Sequence, residues 1–230
     1  MVERFDRLLL VVPALAQGIE QYTRLLGEGP VSGEDDRGEW ALWLLPNTAI
    51  ELREAVGASR IRGLALSMPD ASAMDSPQNN SLGLNLYLCD GSVTARHRAA
   101  GKAGYCDAFA VDHLVLRTSS ADDCVALFGD TLGIRLALDK TVPQWGGRML
   151  FFRAGKLTLE VIDAQDDSDA HNVFWGVAYQ CQNIDAAASA LATRGVTLSP
   201  VREGRKPGTR VATVKSHCLD IPTLLVEPAR

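Results

Sequence analysis

A chain of 230 residues, 47% hydrophobic and 22% charged, is long enough to bury its own core and needs neither a metal nor a disulfide to fold. Its 28 acidic against 23 basic side chains give a formal charge of -5, which repels phosphate backbones and argues against nucleic acid as a partner. Five cysteines without a CxxC pair fit reduced thiols, the apolar runs are too short to cross a bilayer, and acidic Glu3 and Asp6 disfavour a signal peptide; a cytoplasmic protein with no membrane partner is expected.

In chain order, Phe5 to Val12 (FDRLLLVV) reads as a strand and Ala14 to Leu26 as a helix that Gly27 stops. Strands follow over Trp40 to Leu45 and around Glu51 (AIEL), and GLALSM from Gly63 opens a second unit. Its continuation, PDASAMDSPQNNS, is too polar and too broken by Pro69 and Pro77 for a packed helix, so that unit reads as truncated after a strand-like SLGLNLYL. Small, polar and basic residues from Asp90 to Phe109 read as a linker. The pattern then restarts with an offset of about 106 residues: VDHLVLRT at Val111 to Thr118, a helix over Ser119 to Leu132 stopped by Gly133, a strand over Met149 to Arg153 and TLEV around Glu160. GVAYQC from Gly176 begins a fourth unit, with a helix over Ile184 to Arg194 capped by Asn183 and strands over Arg210 to Val214 and Thr223 to Val226. The expected organisation is a first half over 1–90, a linker over 91–110 and a second half over 111–230.

These four successive units resemble the vicinal oxygen chelate superfamily, which contains glyoxalase I, extradiol dioxygenases and bleomycin-resistance proteins. The resemblance rests on Val111-Asp112-His113-Leu114-Val115-Leu116, on Asp130-Thr131-Leu132-Gly133-Ile134, on the strand-turn-strand from Gly147 to Val161, and on Asn183-Ile184-Asp185-Ala186-Ala187. It implies an α+β fold of tandem βαβββ modules, with curved mixed sheets enclosing a cleft and duplicated into two halves. It also implies a divalent metal ion held by His on the first strand of a module and Glu or another ligand on the last.

Carried over residue by residue, His113 and Glu160 fit the third module, whereas Gly176 and Leu224 stand at the ligand positions of the fourth and cannot bind metal. Two protein donors are an incomplete set. His113 and Glu160 are therefore the candidate reactive pair, as metal ligands or as an acid and base; the alternative is a cleft histidine hydrogen-bonded by Glu160 or Asp112. In the first half Arg7 takes the His position and Glu51 keeps the carboxylate, so an ion pair is expected where a metal would be. His97, His171 and His217 read as loop residues at the surface.

Four tryptophans lie on or beside the cleft strands, and Trp145 and Trp175 would suit an aromatic wall for a ligand unless they fill the interior. The basic loop Val201 to Arg210 offers Arg205, Lys206 and Arg210 as a clamp for a carboxylate or phosphate, or is a solvated hairpin. No GxGxxG, GxxxxGK[ST] or GxSxG occurs, so nucleotide cofactors and hydrolase triads lack motif support. What remains is a protein that binds a small oxygenated molecule. It converts that molecule as a lyase, isomerase or dioxygenase would, or sequesters it as bleomycin-resistance proteins do. Module pairing between two chains, and hence a homodimer, is also expected from the resemblance.

Overall fold

The computed structural model describes residues 1–69, 71, 77–101, 104–142, 147–163 and 172–229. In the first half β1 (Arg4–Val12) leads into α1 (Leu15–Leu26), followed by β2 (Val31–Asp35), β3 (Gly38–Leu44) and β4 (Ala49–Glu54). The chain then returns so that β4 lies parallel to β1. On the other edge of β1, β5 (Arg60–Ser67) pairs antiparallel, and β6 (Asn85–Cys89) adds parallel to it, completing a six-stranded sheet in the order β2-β3-β4-β1-β5-β6.

After α2 (Ser92–Ala99), the same path repeats as β7 (Ala110–Thr118), α3 (Ala121–Cys124) continued by a π-helical stretch over Val125–Thr131, β8 (Arg135–Val142), β9 (Gly147–Ala154) and β10 (Leu157–Asp163). It is completed by β11 (Val173–Gln180), α4 (Ile184–Thr193), β12 (Arg202–Glu203), β13 (Arg210–Val214) and β14 (Thr223–Glu227). This sheet has eight strands in the order β12-β13-β14-β11-β7-β10-β9-β8. The architecture is α+β, two mixed sheets of tandem βαβββ modules. Between β5 and β6 the described residues hold no counterpart of α4, β12 or β13.

Local chemistry explains the repeat. Gly27 and Gly133 close their helices with φ of 87° and 69°, a left-handed conformation that costs glycine little. The first N–H group of α1 donates to Glu54 Oε2 at 3.0 Å and that of α4 to Glu227 Oε2 at 2.8 Å. Both acceptors stand at the end of a module's last strand, so in these two modules a carboxylate ties the helix N-terminus to the sheet.

Alternation along the strands then divides the two faces. Leu8, Leu10 and Val12 of β1 and Leu114 and Leu116 of β7 enter one cluster that runs through both halves and includes α1 and α4. Each such leucine contributes about 1.5–3 kcal/mol on burial. The opposite, concave faces carry smaller clusters, one of Leu9, Ala65, Tyr87 and Cys89 and another of Ala178, Val211 and Val226. The halves are stitched together by Asn47, whose amide exchanges two hydrogen bonds with the backbone of Val111, and by Arg194 Nε, which donates to Arg24 O at 2.7 Å.

Two features depart from the sequence reading. The segment expected to be a linker contains α2, a helix whose one buried residue is Thr94; lacking an apolar stripe, it left no periodic signal. Similarly, β2 and β8 are edge strands, β2 half-buried and β8 mostly exposed, and were not legible as alternation.

Candidate functional site

Strand register equates the two halves position by position. His113 lies opposite Ala178 in β11 and beside Thr158 in β10; Arg7 lies opposite Ala65 in β5 and beside Ala49 in β4. Glu160 thus corresponds to Glu51, and Leu224, the neighbour of Ala178, to Tyr87, the neighbour of Ala65. A bulge at the start of β1 and of β7 leaves Asp6 and Asp112 unpaired beside Arg7 and His113. One constellation therefore occurs twice, as Asp-Arg-Glu in the first half and Asp-His-Glu in the second.

In the second half Asp112 Oδ2 is 2.8 Å from His113 Nδ1, and His113 Nε2 is 3.5 Å from Glu160 Oε2. An ionised carboxylate only accepts, so Nδ1 carries the proton and Nε2 is turned toward Glu160. Burial works against the charged imidazole, but the hydrogen bond that His113 donates to Asp112 and the charges of Glu160 and Asp112 outweigh it and raise the His113 pKa. The side chains remain open to solvent, with His113 20% and Glu160 15% exposed. The pair can thus meet a ligand.

In the first half the same positions are sealed. Arg7 Nη1 donates to Glu51 Oε2 at 2.8 Å, and Asp6 Oδ2 lies 3.2 Å from Arg7 Nε. The expected ion pair is present, and Asp6, Arg7 and Glu51 are each less than 5% exposed. Glu51 Oε1 also accepts from Arg53 Nε at 2.6 Å. α2 covers this end of the concave face: Thr94 Oγ1 donates to Asp6, Arg98 Nη2 to the carbonyls of Leu45 and Thr48, and the His97 ring stands edge-on to Trp40 at 5.6 Å.

The donor set does not fit a divalent metal. Asp112 is engaged with Nδ1, leaving His113 Nε2 and Glu160; their neighbours Ala178 and Leu224 offer no donor atom. Two donors fall short of the three or four usual in bound sites. Register also corrects the sequence assignment, because Ala178 rather than Gly176 lies opposite His113. Gly176 answers a packing need, since a Cβ there would lie 2.6 Å from the carbonyl oxygen of Pro222. Among the described residues no group of three or more His, Cys, Asp or Glu could hold a metal ion.

The other expected residues are scattered. Trp175 is the extra residue of a bulge in β11, one position before Gly176, and is 45% exposed. Trp145 and His171 lie outside the described residues. Arg210 is a correction: it shares a face with Ala212 and Val214 and spends its guanidinium on Asp185 of α4 at 2.7 and 2.8 Å, so it points to the helix side of the sheet and away from the cleft. Arg205 and Lys206 are exposed in the turn between β12 and β13, three or more strands from β7. Trp43 is fully buried and donates to Glu28 O, a core residue. Asp112 was foreseen only as a hydrogen-bond partner, although its coincidence with Asp6 in the repeat was readable.

Residues 112–213 match the family profile described as Glyoxalase/Bleomycin resistance protein/Dioxygenase superfamily. A triple mutant of 4-hydroxymandelate synthase from Streptomyces coelicolor has a TM-score of 0.75 at 13% identity, covering 100% of this chain and 94% of the other. The 2,3-dioxygenase LapB from Pseudomonas sp. KL28 has a TM-score of 0.68 at 14% identity, with 100% and 93% covered. A xylose isomerase-like TIM barrel/4-hydroxyphenylpyruvate dioxygenase fusion protein scores 0.70 at 14% identity, with 99% of this chain and 49% of that chain covered. At these identities the likeness is one of fold. No curated protein matches the sequence.

Proposed function

We propose that the second cleft, which lies within residues 112–213 matched by the Glyoxalase/Bleomycin resistance protein/Dioxygenase superfamily profile, binds a small oxygenated organic molecule and moves a proton on it without a metal. The observation that carries this reading is the Asp112-His113-Glu160 array, with Nδ1 fixed at 2.8 Å and Nε2 facing a carboxylate at 3.5 Å. Glu160 takes a proton from the carbon next to a carbonyl, and His113 in its imidazolium form, with Nδ1–H held by Asp112, donates a hydrogen bond through Nε2–H to the developing enolate oxygen. Asp112 holds the imidazole in the donating orientation. Return of the proton to the adjacent carbon of an enediolate gives isomerisation; departure of a group with its bonding electron pair from the β-carbon, the abstracted proton staying on Glu160, gives elimination. Both are proton-transfer chemistries that need no oxidant.

A second reading, sequestration without chemistry, is supported by Gly176, Ala178 and Leu224, which leave that side of the cleft apolar. Leu138, Val173 and Trp175, each more than 40% exposed, supply apolar surface on β8 and β11 for a ligand or for a second copy in a homodimer. Five free, buried cysteines support a reducing, cytoplasmic setting; among the described residues no helix is long and apolar enough to cross a membrane.

Solvent deuterium exchange into a panel of 2-oxo acids, 3-oxo acids and hydroxyketones, followed by proton NMR, separates the readings. Exchange that survives chelator and falls about 100-fold or more in Glu160→Gln is the expected result. Tight binding without exchange would favour sequestration, and exchange restored only by added metal would overturn the metal-free reading.

A further inference from the structure

We propose that the first half keeps a second, separate binding site, for a small apolar or aromatic carboxylate, at the end of its concave face that α2 leaves uncovered. The site is a cavity of about 230 Å³ lined by Leu9, Val11, Glu51, Arg53, Arg62 and Tyr87, among others. Leu9, Glu51 and Tyr87 correspond by register to Val115, Glu160 and Leu224 of the second half, so the cavity lies next to the sealed Asp6-Arg7-Glu51 row and shares only Glu51 with it.

Among the described residues the charges of this cavity face opposite charges except at Glu54, whose carboxylate accepts only from a backbone N–H, and at Arg62. Both oxygens of Glu51 are taken, by Arg7 and by Arg53. Arg53 Nη2 also reaches Asp35 Oδ2 at 2.6 Å, Arg37 pairs with the same carboxylate, and Glu54 Oε2 accepts from the backbone of Leu15. Arg62 is exposed, and its guanidinium has no hydrogen-bond or ion-pair partner among the described residues. It sits in the bulge of β5 just before Gly63, the counterpart of Trp175 before Gly176. Tyr87 is 6% exposed, and its hydroxyl likewise has no partner among the described residues.

An unpaired guanidinium and a phenol O–H over a floor of Leu9, Val11 and the Tyr87 ring define the ligand. The carboxylate accepts two parallel hydrogen bonds from Arg62 and one from Tyr87, while its apolar body lies on the aliphatic wall. At about 30 Å³ per water the cavity has room for roughly eight waters, which limits the guest to a compact molecule. Glu51 offers no base here, because Arg7 and Arg53 hold it, so the site binds without converting.

Benzoate is the probe, with neutral benzamide as control, and titration is followed by ligand-observed NMR on the full chain. Benzoate is expected to bind wild type and His113→Ala equally, about tenfold more weakly to Arg62→Ala and several-fold more weakly to Tyr87→Phe, with benzamide not binding. Arg62 is exposed and Tyr87→Phe removes one oxygen, so circular dichroism should show both variants folded. Loss of benzoate binding in His113→Ala would assign it to the second cleft and overturn the proposal. So would binding indifferent to Tyr87→Phe, equal binding of benzamide, or no binding at millimolar benzoate.

Discussion

Arg7 and His113 stand at the same place in their halves, each flanked by an aspartate in a bulge and a glutamate on the parallel strand. A permanently charged guanidinium there, less than 5% exposed, closes the first site as a structural ion pair, whereas an imidazole keeps the second one able to give and take a proton. Removing one partner of the buried pair leaves the others charged and unmatched. Arg7→Met should therefore lower unfolding free energy by about 3–5 kcal/mol in urea denaturation, and a loss below about 1 kcal/mol would contradict the burial argument. Nearby, the hydrogen bond from Arg53 holds the Asp35 carboxyl down at about 2. Its folded pKa lies below the ordinary value of 3.8, so its stabilisation is complete above that value and is lost as pH falls toward 2. Asp35→Asn should flatten that part of the stability-against-pH curve while leaving its shape above about pH 5 unchanged. The Arg7 and Glu51 pairing could be read from the repeat. The lone guanidinium of Arg62 could not, because nothing in the order of residues shows which of several arginines is left over.

At the scale of elements, bulges and register decide what each strand presents. Spacing alone put Gly176 at the missing ligand position; the bulge in β11 moves that role to Ala178, directly across from His113. A Cβ at residue 176 would meet the Pro222 carbonyl, so Gly176→His should destabilise the protein by about 1–3 kcal/mol and gain no metal. The double change Ala178→His with Leu224→Glu places two donors on the row of His113 and should produce nickel or zinc binding detectable by calorimetry. Failure of the double variant, folded, to bind more metal than wild type would show the register argument to be wrong. Helices α1 and α4, each with a glycine stop and α4 with its Asn183 cap, were legible to within a residue or two. α2 was not, since its sequence SVTARHRA has no apolar stripe and its place is set by Thr94 and Arg98 reaching polar groups of the first half.

For the whole molecule, duplication followed by divergence explains why two similar halves behave differently. One core runs through both, from Phe5 to Leu225, so the chain should unfold in one cooperative transition, with fluorescence and circular dichroism giving coincident curves. The five cysteines lie inside that fold, and burial pushes the Cys124 thiol up to about 12 and those of Cys89 and Cys181 to about 11. Ellman's reagent should accordingly find no fast thiol until the protein is denatured. The two-half architecture was readable because the order of strand, helix and glycine stop recurs. The unequal fate of the clefts was not, since it depends on where a polar helix settles.

The central claim is that the Asp112-His113-Glu160 array works without a metal ion. Its most direct test is elemental analysis of tag-free wild type and His113→Ala after dialysis against a mixture of divalent ions and then metal-free buffer. The account predicts well under one equivalent of any metal in both proteins. About one equivalent in wild type that disappears in His113→Ala would contradict it.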